Sequence, residues 1–225
     1  ILRAQGAYIH NLSDFWDYYW KNPNGSDPEQ LGWRLKYNRE NRGDIYATHG
    51  LGPVAQALNI HRGDRMTSLV AMDTKSVQGK ELVEAKTGKP CNDFRNGDHT
   101  TTLIQTADRK VIELQHDVMN PQPYSRLYQL TGTKGFANKY PIEGYAVDAK
   151  QLKATGNAPK VDNLTSHEFM PDDQRKALEE KYESPILKKF GKLAKEVGGH
   201  GGMDFIMCAR LIYCLQNGLP LDMDV

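Results

Sequence analysis

A tyrosine and a histidine stand three residues apart in the segment IYATHGLGPVAQALN, residues 45–59. Histidine titrates near pH 6.5 and tyrosine near pH 10, so Tyr46 and His49 could act as a base and an acid in proton transfer if both faced one cleft. Alternatively, His49 could cap the start of a helix through backbone hydrogen bonds. The spacing favours neither interpretation.

The same segment contains a glycine pattern typical of dinucleotide-binding loops. Gly50, Gly52 and Ala55 fit G-x-G-x-x-[G/A], and Asp73 follows about 20 residues later. However, the preceding DIYATH carries polar residues where a doubly buried strand would be apolar, and Pro53 removes an N–H from the group that would hold phosphate. We therefore expect a helix with Pro53 in its first turn and glycines that permit a close backbone approach.

Charge and composition argue against several classes of protein. The 225 residues include 29 basic and 28 acidic ones, a balance that provides no field for attracting nucleic acid or an anionic membrane. No apolar segment approaches the roughly 20 residues that cross a bilayer. The three cysteines lack metal or redox spacing, and Cys208 and Cys214 are predicted to be buried, inert thiols. The scattered histidines predict no metal site.

Alternating, β-branched segments predict strands over the first two thirds of the chain. Residues 100–118 give the clearest pattern, because TTTLIQT and KVIELQH flank a tight ADR turn and so predict an antiparallel hairpin. Further strands are predicted at 1–11, 67–73 and 125–132, and TKGFANKY follows the last of these after a glycine. Strands joined by short turns indicate a largely antiparallel sheet in one α/β (α+β) domain.

Helical spacing dominates the last third of the chain. Helices are predicted from Pro171, from Ser184 with Pro185 at the first helical position, and over 202–218 with Asn217 and Gly218 at the end. A short helical turn is predicted at 14–20, and polar loops at 22–30 and 151–163.

Seven short motifs give the chain a resemblance to a known family. They are GAYIHNL (6–12), GWR (32–34), YATHGLGP (46–53), LQHD (114–117), PQPYS (121–125), GTKG (132–135) and GHGGMDFIM (199–207). In this order they are similar to the glycoside hydrolase family 109 enzymes, the NAD-dependent α-N-acetylgalactosaminidases of the Gfo/Idh/MocA oxidoreductase superfamily. The resemblance runs from Gly6 to about residue 220, whereas 13–30 match no family pattern.

The resemblance implies a fold and a missing partner domain. Family members carry an N-terminal Rossmann domain that binds NAD, followed by a C-terminal α/β domain with a large, mostly antiparallel sheet and helices on one face. Residues 1–225 resemble only the second domain, and the chain has no initiator Met, so we expect a fragment of a longer protein. The resemblance further implies a carbohydrate substrate, homo-oligomers formed through the sheet face, and a bacterial source, with export left open.

The resemblance also assigns roles to residues of this chain. Substrate binding falls to Tyr8, Arg34, Tyr46, Ala47, Thr48, His49 and Tyr124. Within the Y-x-x-H motif, Tyr46 and His49 are expected to transfer protons, and Tyr46 also to approach the nicotinamide.

Three other histidines have different expectations. On a strand, His10 shares a face with Tyr8, so it either supports the site or is an interior histidine. His200, just before the last helix, either approaches the cleft or packs. His116, at the end of a hairpin strand, is expected to be structural.

The implied reaction is redox-neutral. Hydride leaves C3 of the sugar, the resulting ketone acidifies the C2 proton, the aglycone leaves C1, water adds and the hydride returns. This chemistry does not need the paired carboxylates of ordinary glycosidases, and the sequence shows no convincing pair. A net sugar or polyol dehydrogenase and a non-enzymatic sugar-binding or assembly domain remain open alternatives.

Overall fold

One mixed sheet of seven strands forms the centre of the computed structural model, which describes residues 1–21, 32–148 and 167–222. The strands are β1 (Arg3–Ile9), β2 (Met66–Asp73), β3 (His99–Thr106), β4 (Val111–Asp117), β5 (Tyr128–Thr131), β6 (Gly135–Asn138) and β7 (Gly144–Val147). Their order is β2-β3-β4-β1-β5-β6-β7, with β1 parallel to β4 and the other neighbours antiparallel. The predicted hairpin and the largely antiparallel sheet are therefore confirmed.

Six α-helices of the described residues accompany this sheet. They are α1 (Trp33–Glu40), α2 (Thr48–Ala57), α3 (Gln78–Thr87), α4 (Asp172–Tyr182), α5 (Pro185–Val197) and α6 (Met203–Gln216). The three helices predicted in the last third are confirmed, and the Ser184 hydroxyl caps α5 by accepting the N–H of Ile186. A short helical turn spans Trp16–Trp20, as predicted. The loops predicted at 22–30 and 151–163 lie outside the described residues.

Helix α2 covers one face of the sheet. Val54 of α2 and Leu58, directly after the helix, pack with Ala4, Ile104, Ile112 and Leu114 from the three central strands. The intervening residues point to the opposite face, where Arg3 and Glu113 form a 2.5 Å ion pair. This alternation follows from the two-residue period of a strand.

Two glycines allow α2 to lie directly on β1. A Cβ atom on Gly6 would stand 2.0 Å from the carbonyl oxygen of Gly50, so the backbones approach more closely than any other residue pair would permit. At Gly52, by contrast, an added Cβ would meet no atom within 4 Å. The expected close approach therefore involves Gly50 but not Gly52.

The position of Pro53 differs from the prediction. Because α2 begins at Thr48, Pro53 lies inside the helix and not in its first turn. Proline has no N–H for the carbonyl of His49, four residues earlier. The Tyr128 hydroxyl donates to that carbonyl at 2.5 Å. A hydrogen bond from the sheet thus replaces the missing helical one and ties the His49 end of α2 to β5.

Helix α6 is far less covered than its sequence predicts. Cys214 is buried as expected, but Cys208 is exposed, so the prediction of a buried thiol was wrong there. Most of its large apolar side chains are also exposed: Met203, Met207, Leu211, Ile212, Tyr213 and Leu215. None of the helices in the described part of the chain is long and apolar enough to span a membrane.

Candidate functional site

Three aromatic rings from two segments meet at the C-terminal end of β1. The Tyr8 centroid lies 5.3 Å from that of Tyr46 and 4.7 Å from that of His49, and the Tyr46 and His49 centroids are 4.8 Å apart. Tyr8 is buried, whereas Tyr46 and His49 are partly exposed. The structure therefore brings together the two residues whose spacing suggested proton transfer. We call these three residues the ring cluster.

A tight turn and the start of α2 position Tyr46 and His49. The Asp44 carboxylate accepts the N–H of Tyr46 at 3.0 Å, which fixes the turn ahead of the helix. Ala47 and Thr48 follow at the first helical residues, where Ala47 is partly exposed and Thr48 exposed. Helix α2 has no side-chain cap hydrogen bond, so the interpretation of His49 as a cap is not supported.

Arg34 lies beside the ring cluster on α1. Its guanidinium carbon stands 4.4, 4.8 and 5.0 Å from the ring centroids of Trp33, Tyr19 and Tyr46, within the range of cation–π attraction. The buried Asn38 side chain donates to the Arg34 carbonyl at 2.8 Å and accepts from Asn96 at 3.0 Å. A narrow cavity lies among Tyr8, Trp33, Arg34, Tyr46 and His116.

Tyr124 and His10 extend the cluster on the other side of Tyr8. The His10 and Tyr124 centroids are 4.9 Å apart, and Nδ1 of His10 is 3.3 Å from the Tyr8 hydroxyl. Tyr124 is 43% exposed, so its ring is accessible to a ligand.

The buried carboxylate of Asp117 anchors the loop that carries Tyr124. It accepts the backbone N–H groups of Met119 and Asn120 and side-chain donors of Asn120 and Gln122, and it contacts Nδ1 of His99 at 3.2 Å. These bonds hold the pKa of Asp117 below its usual range in spite of burial. The LQHD motif contains Asp117 but gives no indication of this anchoring role.

His116 and His200 occupy different environments. His116 is 2% exposed and lies under Tyr8 at 6.1 Å between centroids, an interior position that agrees with the structural expectation. His200 is exposed, with Nδ1 2.9 Å from the Asp204 carboxylate. It forms no ring contact with the cluster among the described residues, yet its charge still reaches His49.

The environment keeps His49 neutral. Loss of solvent, followed by the positive charges of Arg126 and Arg34 and by the electrostatic effects of His200 and His10, lowers the pKa of His49 to about 4. Burial raises the pKa of Tyr8, while Arg34 and Arg126 oppose that shift. At neutral pH the His49 imidazole can therefore accept a proton but has none to release from a charged form.

Asp73 and the segment before Gly50 do not form a dinucleotide loop. Residues 44–47 are not a strand, and the carboxylate of Asp73 pairs with Arg42 at 2.5 Å and accepts the N–H of Gly97 at 3.2 Å. A βαβ unit needs a strand before the glycines and a free acidic residue for the ribose, and the described residues provide neither here.

Two other features lie apart from the ring cluster. A larger open groove is lined by Tyr145 of β7 with residues of α4 and α5, and it shares no residue with the cluster. Within the described ranges, no three His, Cys, Asp or Glu side chains are grouped so that they could hold a metal ion.

Comparison with known proteins assigns the chain to a family. The family model described as "Glycosyl hydrolase 109, C-terminal domain" matches residues 1–225. The chain is 72% identical over 225 residues to Glycosyl hydrolase family 109 protein 5 of Phocaeicola vulgatus, of which it covers 43%. It is 54% identical over 225 residues to Glycosyl hydrolase family 109 protein 1 of Bacteroides thetaiotaomicron, of which it covers 46%.

These matches define the class of protein as the C-terminal domain of a glycoside hydrolase. The chain belongs to glycosyl hydrolase family 109. It spans a little under half the length of the curated relatives quoted above.

Proposed function

We propose that this chain forms the sugar-binding part of an NAD-dependent glycosidase that cleaves terminal N-acetylgalactosaminides or related sugars. The observation that carries the proposal is the contact of Tyr8, Tyr46 and His49, in which the histidine is held neutral. Membership of family 109 supports glycosidase chemistry. The proposal concerns the intact protein, because the chain covers under half of its relatives.

The side chains around the cluster suit a sugar. The exposed Tyr124 can pack against the apolar face of a pyranose, and the Tyr46 and Tyr8 hydroxyls can hydrogen-bond its hydroxyl groups. Arg34 has a fork of N–H donors that suits sugar hydroxyls or the acetamido oxygen. Ala47 and Thr48, at the start of α2, would line the same wall.

Near the ring cluster, the described residues suit one end of a dinucleotide. The exposed ring of Trp33 and the partly exposed ring of Tyr46 would hold a flat nicotinamide ring, whereas Gly50 packs on Gly6 and so does not form a cradle for phosphates. We therefore expect other residues of the intact protein to bind the phosphates. When bound, the nicotinamide supplies a reversible acceptor for the hydride of sugar C3.

His49 and Tyr46 would perform the proton transfers. Once C3 is a ketone, the C2 proton is acidic enough for the neutral imidazole of His49 to take it. The C2–H and C1–O bonds then break, a C1–C2 double bond forms, and the Tyr46 hydroxyl protonates the departing oxygen. Water adds to C1 by the reverse of these steps, which restores both side chains.

The carboxylates near the cluster are poorly placed for conventional glycoside hydrolysis. Asp44 and Asp117 both act electrostatically on His116, so they are the carboxylates to consider. Asp117 is buried and surrounded by donors, and Asp44 accepts the N–H of Tyr46. Both therefore fix loops, while a conventional mechanism needs two carboxyl groups that reach the glycosidic bond.

Substitution of His49 tests the proposal. In the intact protein, His49→Ala should lower kcat on an aryl N-acetylgalactosaminide by about 10²–10⁴-fold, as expected for loss of a general base. Binding of the dinucleotide, measured by fluorescence titration, should stay within a factor of about three, because the phosphates are bound elsewhere. His61→Asn, at an exposed histidine, is the matched control.

Three results would overturn the proposal. Near-normal turnover by His49→Ala would show that His49 is not the base. Reduced dinucleotide that accumulates in proportion to substrate would identify a net dehydrogenase. Sugar binding without release of the aryl group would favour a non-enzymatic domain.

A further inference from the structure

Arg126 lies between two tyrosines of the proposed sugar site. Its guanidinium carbon is 5.6 Å from the Tyr8 centroid and 5.7 Å from the Tyr124 centroid. No motif in the sequence drew attention to this residue, and the proposed function gives it no role so far. It lies beside Tyr8, the ring that contacts both Tyr46 and His49, so its N–H donors are near the proposed sugar site.

The polar groups of Arg126 are incompletely used. Its Nε atom is buried without a hydrogen-bond partner among the described residues, and no carboxylate of those residues forms an ion pair with the guanidinium. A buried donor that is left unpaired destabilises the fold, so such a donor is normally satisfied by a hydrogen-bond acceptor. A ligand oxygen would satisfy it.

The backbone holds Arg126 firmly relative to Tyr8. The adjacent Ser125 exchanges two hydrogen bonds of 2.9 Å with Ile9, so the chain before Arg126 is paired to the end of β1. The side chain is thus presented on a paired segment and not on a free loop. Such rigidity is what a preorganised charge-binding group requires.

Arg126 also acts electrostatically on the proposed base, whose ring lies 4.7 Å from that of Tyr8 between centroids. Among the charges that act on His49, that of Arg126 has the largest effect, and it has the same rank at His10. A fixed positive charge near a base stabilises a negative charge that develops when the base removes a proton. Within the proposed reaction, that charge appears on the oxygen at C3.

We propose that Arg126 binds the oxygen on sugar C3 and stabilises the enolate formed when the C2 proton moves to His49. The inference rests on the proposed function, with a nicotinamide dinucleotide as the oxidant of C3. The electron pair of the C2–H bond moves into the C2–C3 bond and the C3 carbonyl becomes an oxyanion. The Arg126 N–H groups then donate to this oxygen. When the C1–O bond breaks, the electron pair moves from the C2–C3 bond into a C1–C2 double bond, the C3 carbonyl forms again, and the negative charge passes to the departing aglycone oxygen, which Tyr46 protonates.

Deuterium incorporation at C2 tests Arg126 separately from overall hydrolysis. The intact protein would be assayed in D₂O with an aryl N-acetylgalactosaminide, and deuterium at C2 of the released sugar measured by mass spectrometry. Loss of an oxyanion donor typically lowers a rate by 10²–10³-fold, so Arg126→Met should lower both kcat and the exchange rate by about that factor. KM should change by less than about threefold, because the interaction becomes strong only when the oxygen carries the negative charge.

Two further variants complete the experiment. Arg126→Lys keeps the positive charge but loses the planar set of guanidinium N–H donors, so kcat and the exchange rate should fall by an intermediate factor of about ten. This variant also provides the test if Arg126→Met does not fold. Arg3→Met removes an arginine of β1 that pairs with Glu113 on the opposite face of the sheet, and it should leave exchange unchanged.

The outcomes separate this inference from the proposed function. Exchange by Arg126→Met or Arg126→Lys at the wild-type rate would overturn the role of Arg126 alone. Wild-type turnover with no deuterium at C2 would overturn the proposed elimination and this inference with it. A matching NMR titration should show a higher pKa for His49 in Arg126→Met than in the wild type; an unchanged value would contradict the inferred proximity.

Discussion

The ring cluster and the surface of α6 are both rich in apolar and aromatic side chains, yet they are packed in opposite ways. Tyr8, Tyr46 and His49 contact one another across two segments, and α2 is fixed beneath them by Gly6 and Tyr128. Met207 and Leu215 of α6, by contrast, point outward. An apolar helical pattern thus predicts a helix but not which surface packs against it. The side chains of the ring cluster, by contrast, are held in position by contacts from several segments of the chain.

Among changes to the contacts that fix α2, the largest effect on stability should come from separating α2 from β1. Gly6→Ala would place a methyl group against the Gly50 carbonyl and should destabilise the fold by about 3 kcal/mol, since backbone must shift to accept it. Gly52→Ala, on the same helix, is the control and should be neutral or stabilising by up to about 1 kcal/mol, because the added methyl meets nothing. Urea unfolding of both variants would measure the difference, and equal stabilities would contradict the close approach.

A smaller effect is expected at the hydrogen bond that compensates for Pro53. Tyr128→Phe leaves the His49 carbonyl without its donor and should cost about 1–2 kcal/mol. Restoring an N–H with Pro53→Ala should reduce that cost in the double variant. Thermodynamic double-mutant cycles would test this, and strictly additive effects would show that the two groups do not share the carbonyl.

The cluster should also make stability depend on pH. His49 has a pKa of about 4 in the folded protein and near 6.5 when unfolded, so the unfolded state binds more protons between these values. The free energy of unfolding should therefore fall as the pH drops from about 6.5 to 4, and His10 and His116, whose pKa values are also lowered by burial, should act in the same direction.

Denaturation at pH 7 and pH 5 would measure this slope. His49→Ala should flatten it, and the exposed control His61→Asn should leave it unchanged. A slope unaffected by His49→Ala would mean that the imidazole is solvated in the folded state.

The smallest effect is expected on α6. Leu215 is 67% exposed, so Leu215→Ser should change the stability of this chain by less than about 0.5 kcal/mol. Leu114→Ala, at a position 2% exposed beneath α2, should cost about 2–5 kcal/mol. Comparable losses for the two variants in urea unfolding would show that α6 is covered in solution.

Prediction from sequence succeeded where the determining contacts are local. The alternation of residues 100–118 fixes which side chains share a face, and Ser184 caps α5 from two residues away, so both elements were predicted correctly. Helix α3 was not predicted, because its first N–H groups, at Val77, Gln78 and Gly79, donate to Asp98 some twenty residues later in the chain. A capping residue this far along the chain leaves no capping motif in the sequence next to the start of the helix.

Prediction of the site was incomplete for a related reason. The Y-x-x-H spacing and the family resemblance identified Tyr46 and His49, but no motif contained Arg126, and the LQHD motif gave Asp117 no role in the site. Burial of Cys208 was predicted wrongly because it depends on what lies against α6. The position of Pro53 was also predicted wrongly, because a proline inside a helix is acceptable only where another group, here Tyr128, serves the free carbonyl.

The sequence alone determined the periodicities, and therefore the hairpin of residues 100–118 and the three helices of the last third, together with the types of side chain available for chemistry. Tertiary structure decided the close contact of Gly6 with Gly50, the lowered pKa of His49, and the burial of an Arg126 donor that has no partner among the described residues. The reason is physical: periodicity is set by the backbone over a few residues, whereas desolvation and charge depend on groups that only folding brings together.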